Sequence, residues 1–389
     1  MRLRRCAHLV IEPRERLSFD LSLLAGGASG VRHVVDLVAI VPHAPAVEVE
    51  LSADEAALAL AVSSAEWSTE DELAQLHAPA LLASLRTKDV LVAEGSDADR
   101  RDRVVRAAHW RPLAAAAHYA SRWQGVDVEQ AGRDLAENTR SALVDHLGEA
   151  PPVVRERCRP DERVSLERQA PTALDALLDR RVTCRNFDRT RALSLAQFSS
   201  VLYRTYGARA VDEYAPGVHL LKKGVPSAGG LHPTEAYLLV QRVDGVAPGL
   251  YHYHPVDHAL EPLRLVDAEE AAALARRFVA AQAWFVDAHV MVVPTSRFAR
   301  TFWKYRRHPK AHRALILDVG HLSQTMYLAA TELGLGAFIT AAVNEVDIEQ
   351  AFDLDPLEES PLAVTGFGLR GAERNEMEFD PLHAVWPAT

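Results

Sequence analysis

Cysteine is scarce in this chain. Cys6, Cys158 and Cys184 stand alone among 389 residues, with neither the even count of a disulfide framework nor the spacing of a metal site. Such usage suits a reducing compartment, and the protein is expected in the cytoplasm. Long apolar runs are missing too. The most apolar stretch, Val34 to Val47, holds Asp36, Pro42, His43 and Pro45, which excludes a bilayer span. The start Met1-Arg2-Leu3-Arg4-Arg5 is basic, but no clean apolar run with a small-residue cleavage site follows, so no secretory signal is expected. Positive charge is in deficit: a net charge of −10 removes the basic footprint that general nucleic-acid binding requires. Neither membrane nor nucleic acid is an expected partner.

What remains is an ordinary globular composition, 48% apolar and 25% charged, in a chain long enough for two domains. The first third is rich in helix-start signals. Ser52, with Glu55 three residues on, forms a capping-box pattern before an alanine-rich helix, and Ser68-Thr69-Glu70-Asp71-Glu72 repeats the signal. Pro79 opens a third short helix to about Leu85, and Lys88 to Ala93 reads as a strand. Three short helices followed by a β element is the order of a winged-helix module. Such modules often bind DNA, yet this segment carries many acids and few bases. Two readings stay open: docking of an extended peptide on a strand edge, or a structural appendage. Pro151, Pro152, Pro160 and Pro171, set among charged residues, mark a linker or surface strap. The expected division is 1–110 for a winged-helix-like module, 111–170 for a helical, proline-containing linker, and 171–389 for a catalytic domain.

From Pro171 the elements follow α+β order. Helices are expected over 172–179 and about 195–206, then a strand over 236–243. A hairpin pair, Leu250 to His254 and Leu260 to Leu265, comes next, followed by a helix over about 267–283 and a strand from His289 to Val293. Leu315, Val319, Leu322, Met326, Ala329 and Leu333 recur at spacings of four and three, predicting a long helix from Arg313 to Leu333 that Gly334 and Gly336 end. The last strand is expected at about Leu362 to Leu369.

Three segments of this half could carry chemistry. Arg180-Arg181-Val182-Thr183-Cys184-Arg185-Asn186-Phe187 offers three guanidiniums within six residues, and the planar fork of Arg suits a phosphate. A solvated basic turn is the plainer alternative. Val225-Pro226-Ser227-Ala228-Gly229-Gly230-Leu231-His232-Pro233 is a small-residue loop entering an apolar strand. It is either an ordinary glycine turn or a loop whose backbone presses against a flat ring or an anion. Arg300-Thr301-Phe302-Trp303-Lys304-Tyr305 opens a basic run, continued by Arg306, Arg307, Lys310 and Arg313, that contains no acid. It reads as a solvated face, as support for a phosphate, or as attraction for an acidic peptide. Tyr251-His252-Tyr253-His254 puts two histidines on one strand face, but no third ligand stands out and no metal is expected. Trp284 and Phe285 read as core.

In this order, the segments resemble the SagB-type dehydrogenases, flavin-dependent nitroreductase-like oxidases that mature ribosomally made peptides. The resemblance covers a little over half the chain. It rests on an Arg-Arg-Ser-x-Arg-x-Phe entry motif, with Thr183 here for Ser, and on a Pro-Ser-Ala-Gly-small-aromatic-Pro loop. It rests also on a Lys-Tyr pair ahead of a long helix carrying Gly-His, here Asp318-Val319-Gly320-His321 with Asp where Glu is more common. The resemblance implies an α+β nitroreductase-like domain, a mixed sheet flanked by helices, binding FMN at a homodimer interface. Arg181, Thr183 and Arg185 would hold FMN. Pro226, Ser227, Ala228, Gly229 and Gly230 would lie across it, usually from the partner subunit. His232 replaces the usual aromatic, and Ala342 falls where relatives often show glycine. Apart from the resemblance, Arg370 closes the last strand and either reaches the phosphate or is simply solvated.

The implied reaction is oxidation of azolines to azoles in a precursor peptide: a Cα proton leaves to Lys304, a Cβ hydride to FMN, and oxygen reoxidises the flavin. Tyr305 would be the partner of Lys304. Neighbours on a regular helix diverge by about 100°, so the pair requires irregular backbone, and Pro309 fits a break there. Burial and nearby arginines would bring a lysine toward the working pH. Peptide-modifying enzymes are expected as further partners. Two other readings stand: a reductase, using NAD(P)H or reducing dehydroamino acids in peptides, and a flavin-free peptide-binding scaffold.

Overall fold

The computed structural model describes residues 1–25, 29–130 and 147–387. Residues 131–146 of the expected linker lie outside the described residues. Six strands form two small antiparallel sheets near the N-terminus: β1 (Arg2–Arg5), β2 (Val10–Phe19), β3 (Val31–Ile40), β4 (Glu48–Leu51), β5 (Ser68–Thr69) and β6 (Leu91–Ala93). One has the order β5-β1-β6, the other β2-β3-β4. The three expected helices are Ala53–Ala61, Glu70–Leu76 and Pro79–Thr87. Both capping boxes close. Ser52 Oγ accepts from Glu55 N–H while Glu55 accepts from Ser52 N–H, and Thr69 with Glu72 does the same. Leu3, Leu58, Leu82, Leu85 and Val90 form a dry core beneath them.

Strands β1 to β4 escape the sequence pattern. β2 reads Val-Ile-Glu-Pro-Arg-Glu-Arg-Leu-Ser-Phe, without one apolar face. Its charges are satisfied across the sheet instead, Arg14 on Glu48 and Arg16 on Asp36.

Two more helices, Asp97–Ala107 and Pro112–Ala120, join this part to the rest. Trp110 and Tyr119 are buried with Phe298, Phe302, Ala311 and Leu315 in one apolar cluster. Beyond it, Val126 N–H donates to Asn344 Oδ1 and Gly125 N–H to Asp347 Oδ2. Residues 147–172 then run exposed and irregular, apart from a single turn at Pro160–Glu162.

The larger half opens with helices Ala173–Asp179 and Leu195–Thr205. A two-stranded arm follows, β7 (Ala208–Ala215) and β8 (Val218–Lys223), which the sequence pattern did not reveal. The remaining strands are β9 (Thr234–Val240), β10 (Gly249–His254), β11 (Ala259–Leu265), β12 (Val290–Arg297), β13 (Leu335–Thr340), β14 (Glu359–Pro361) and β15 (Val364–Leu369). They form one sheet in the order β11-β10-β9-β12-β15-β13, with β14 beside β12.

A mixed sheet was expected; every ladder in it is antiparallel. Among the described residues, parallel pairing survives only as isolated bridges, Thr183 to Ala337 and Leu193 to Val243. The short links joining β9, β10 and β11 leave no room for the crossovers that parallel neighbours need.

Helix Leu195–Thr205 and the long helix Ala311–Glu332 cover one face of the sheet, burying Phe198, Leu202, Leu322 and Met326. Helices Ala268–Phe278 and Glu345–Phe352 cover the other. The helix expected over 267–283 stops at Phe278, because Ala280 and Ala281 turn left-handed. Gly334 ends the long helix with φ +72°, but Gly336 belongs to β13, where a Cβ would run into Cys184 Sγ. Among the described residues, no helix is long and apolar enough to cross a membrane.

Candidate active site

The small-residue loop is fixed from below by one carboxylate. Ser227 Oγ donates to Asp318 Oδ2 (2.5 Å), and Ala228 N–H donates to Asp318 Oδ1 (3.2 Å). Ser227 Oγ in turn accepts from His232 N–H (3.0 Å). Asp318 is buried on the long helix, and desolvation pushes its carboxyl pKa up against the pull of these two donors. The loop itself is left-handed at Gly229 (φ +65°), Gly230 (φ +71°) and His232 (φ +45°).

Gly229 is the point of closest approach. A Cβ there would lie 2.7 Å from Tyr305 Oη and 2.9 Å from Lys304 Nζ. The loop and the lysine-tyrosine pair, 75 residues apart in sequence, therefore meet face to face. The backbone that allows this is irregular, as the pair requires. Helix Phe298–Phe302 ends at Trp303, and turns follow through Arg307, itself left-handed at φ +50°. Lys304 Nζ stands 5.7 Å from the Tyr305 ring centroid.

Tyr305 is half-buried on the aromatic cluster, whereas Lys304 is exposed, so the burial expected to disfavour its cation does not come from this chain. Arg300 is a staple: its Nε donates to Leu231 O (3.0 Å) and its Nη2 to His219 O (2.7 Å), binding the turn to the loop and to β8.

His232 faces inward. It lines a small pocket behind the loop with Lys223, Thr234 and Asp318. Burial, with Lys223 and Arg300 nearby, pushes its imidazole down to about 4, so the ring is neutral near pH 7.

The arginine motif builds a second, separate place. Thr183 Oγ1 lies 2.9 Å from Tyr327 Oη, and the Arg181 guanidinium sits 5.3 Å from the Tyr327 ring centroid. Arg185 lies over Trp284 (5.4 Å) and donates from Nη1 to Met377 O (3.2 Å). Arg181, Thr183, Arg185 and Trp284 line a cavity of about 410 Å³ together with Thr340, Glu378 and Phe379. Among the described residues neither Arg181 nor Arg185 makes an ion pair with a carboxylate. No residue from Pro226 to Gly230 lines this cavity.

Three contributors escaped the sequence reading. Asp318 was visible only as the acid of Asp-Val-Gly-His. Tyr327 lies on the long helix one residue after the predicted core position Met326. Glu378 left no signal. Its buried carboxylate accepts from Arg185 N–H (2.6 Å), Asn186 N–H (3.1 Å), Arg370 Nη1 (2.7 Å) and Trp386 Nε1 (2.8 Å). Arg370 is thus committed to Glu378 and to Val182 O rather than left for a phosphate. His252 is held between Glu261 and Glu235, Phe285 stacks on Phe338, and the carbonyl of Ala342 accepts from Gln282.

Fold and site together define an α+β domain whose antiparallel sheet and long helix carry a left-handed glycine loop against a lysine-tyrosine turn. The chain belongs to the nitroreductase family, whose family profile matches residues 178–369. A Methanocaldococcus jannaschii protein, MJ1384, provisionally named as a nitroreductase, is 31% identical over 176 residues, 45% of this chain and 81% of that one. The trifolitoxin-processing protein TfxB of Rhizobium leguminosarum bv. trifolii is 34% identical over 159 residues, 39% of this chain. The match spans only 41% of TfxB. Among solved structures, the E. coli microcin synthetase McbBCD complex with truncated pro-MccB17 bound matches at 20% identity and a TM-score of 0.48, covering 69% of this chain and 94% of that one.

Proposed function

We propose that this chain is an FMN-dependent dehydrogenase acting in the maturation of a ribosomally made peptide, oxidising azolines to azoles. The observation that carries the reading is the meeting of Gly229 with Lys304 and Tyr305, a glycine-walled surface facing an amine and a phenol. The relative named for trifolitoxin processing supports a peptide substrate.

The residues fit FMN. Arg181 and Arg185 line a cavity and, among the described residues, form no ion pair with a carboxylate, which suits a phosphate although Glu378 shares the lining. At its glycines the loop has no side chains of its own against a flat ring, with Lys304 and Tyr305 standing over Gly229. Arg181, Thr183 and Arg185 would hold the phosphate end; Pro226, Ser227, Ala228, Gly229 and Gly230 would lie against the ring. Because these groups stand apart in one chain, we assign the complete site to a homodimer. FMN, when bound, would supply the acceptor for the substrate's Cβ hydride, with oxygen as the terminal oxidant.

The chain's own part is acid–base and positional. Lys304 takes the Cα proton, and Tyr305 orients the ring or relays the proton. Substrate and second chain supply the burial that Lys304 lacks alone. We place the domain limits near residues 110 and 170. We read the first domain as winged-helix-like and assign peptide docking to it.

Purified protein tests the reading. It is expected to carry a flavin absorbance spectrum that NADPH does not bleach in the absence of peptide; rapid bleaching would instead identify a reductase. Lys304→Ala is expected to keep FMN while losing on the order of 10²–10⁴-fold in turnover. Full turnover in that variant removes Lys304 as the base.

A further inference from the structure

Between Arg300 and Arg313 the chain places six cations and no acid. Arg300 is engaged with backbone carbonyls. The other five, Lys304, Arg306, Arg307, Lys310 and Arg313, are all exposed, and among the described residues none pairs with a carboxylate. Some exposed arginines of this acidic protein find acids, as Arg2 does with Glu94 and Arg14 with Glu48, and others, such as Arg32, Arg111 and Arg209, do not among the described residues. What sets this turn apart is crowding: five exposed cations without an acid partner within ten residues.

Two features make this crowding costly to the fold. Lys310 and Arg313 stand at the start of the 22-residue helix Ala311–Glu332, whose first turn has no acid and whose first N–H groups have no side-chain cap. Cations at that end oppose the helix dipole. Beside them Trp303 is 48% exposed, an aromatic face left in water on the same turn. Like charges crowded on an exposed turn, next to an unburied indole, gain nothing for folding. They do create a concentrated positive field beside Lys304 and Tyr305.

We propose that this turn docks an acidic segment of the substrate peptide. Carboxylates engage Arg306, Arg307, Lys310 and Arg313, an apolar side chain covers Trp303, and the neighbouring peptide residue is delivered to Lys304 and Tyr305. The inference rests on the peptide-dehydrogenase reading above and adds the charge of the substrate. A long polyanion is disfavoured because the surrounding chain carries a net charge of −10 and the patch is one turn long. A few carboxylates match its size.

The test uses the full chain and two short fluorescein-labelled peptides, one rich in glutamate and its glutamine counterpart, read by fluorescence anisotropy. The glutamate peptide is expected to bind at low salt and to weaken by about tenfold near 0.3 M salt, where the Debye length shrinks below the patch. The glutamine peptide is expected not to bind. The triple variant Arg306→Gln/Arg307→Gln/Lys310→Gln is expected to weaken glutamate-peptide binding by about tenfold while FMN absorbance stays unchanged. Arg313→Gln alone gives a milder check that leaves the turn intact.

Equal binding of both peptides, or unchanged binding by the triple variant, overturns the proposal. So does tighter binding of a DNA oligonucleotide of the same charge, which would make nucleic acid the occupant. A wild-type protein that takes up no FMN sinks the enzymatic reading instead, and the peptide arms still report on the docking surface.

Discussion

At Gly229 the backbone is left-handed, and the place a Cβ would fill is already held by Tyr305 Oη and Lys304 Nζ. Gly229→Ala therefore carries a torsional cost of about 1–2 kcal/mol and pushes both side-chain tips away from the loop. Those tips are flexible, so the fold can absorb the change and the chemistry cannot. The expected outcome is a thermal midpoint lowered by only a few degrees, with the proposed peptide oxidation falling toward the level of Lys304→Ala. Melting curves and turnover measured on the same preparation check it, and wild-type turnover would show that the close approach is dispensable. The residues of this contact were legible in the sequence because glycine, lysine and tyrosine each carry a distinctive chemistry. Glu378 was not, because a surface-looking acid in a charged tail gives no hint that two backbone amides, an arginine and an indole converge on it.

Among the elements, helix Pro112–Ala120 and the segment before it bear most directly on the site. Trp110 is fully buried, with Phe298 and Phe302 each 4.7 Å from its ring centroid. Arg307 N–H reaches back to His109 O at 2.9 Å. Trp110→Ala is expected to cost about 3–5 kcal/mol, seen as a lower urea midpoint, and to expose the Lys304 turn to trypsin. An unchanged digestion pattern would separate the N-terminal half from the catalytic turn.

Elements with a strong period or a cap were readable: the capped helices Ala53–Ala61 and Glu70–Leu76, strands β9 and β10, and the long helix all fall within a few residues of expectation. Strands β2, β7 and β8 were not, since neither face of these ribbons is fully apolar, although each pairs with its neighbour in sequence, β2 with β3 and β7 with β8. The antiparallel order of the large sheet is likewise a property of connections that no single strand reveals.

For the whole molecule, histidines held below their ordinary pKa weaken the fold as the pH falls. His8, His232 and His289 lie in three different parts of the structure, and burial pushes each down to about 4. The unfolded chain binds these protons near pH 6.5, so between about pH 6.5 and 4 it holds more protons than the fold and stability declines as pH falls. His252, raised chiefly by its bond to Glu235, works in the opposite direction and loses its contribution as pH rises. Thermal midpoints are expected to drop from pH 7.5 to pH 5, and less steeply in His232→Gln; a flat profile would mean the rings are protonated in the fold.

The separation of the arginine cavity from the glycine loop has a genetic consequence. When a working centre draws one half from each of two chains, damage need not be inherited by both centres. A chain disabled at Arg181 and another disabled at Gly229, each inactive alone, are expected on co-expression to assemble mixed pairs. In each such pair one centre collects both defects and the other collects none.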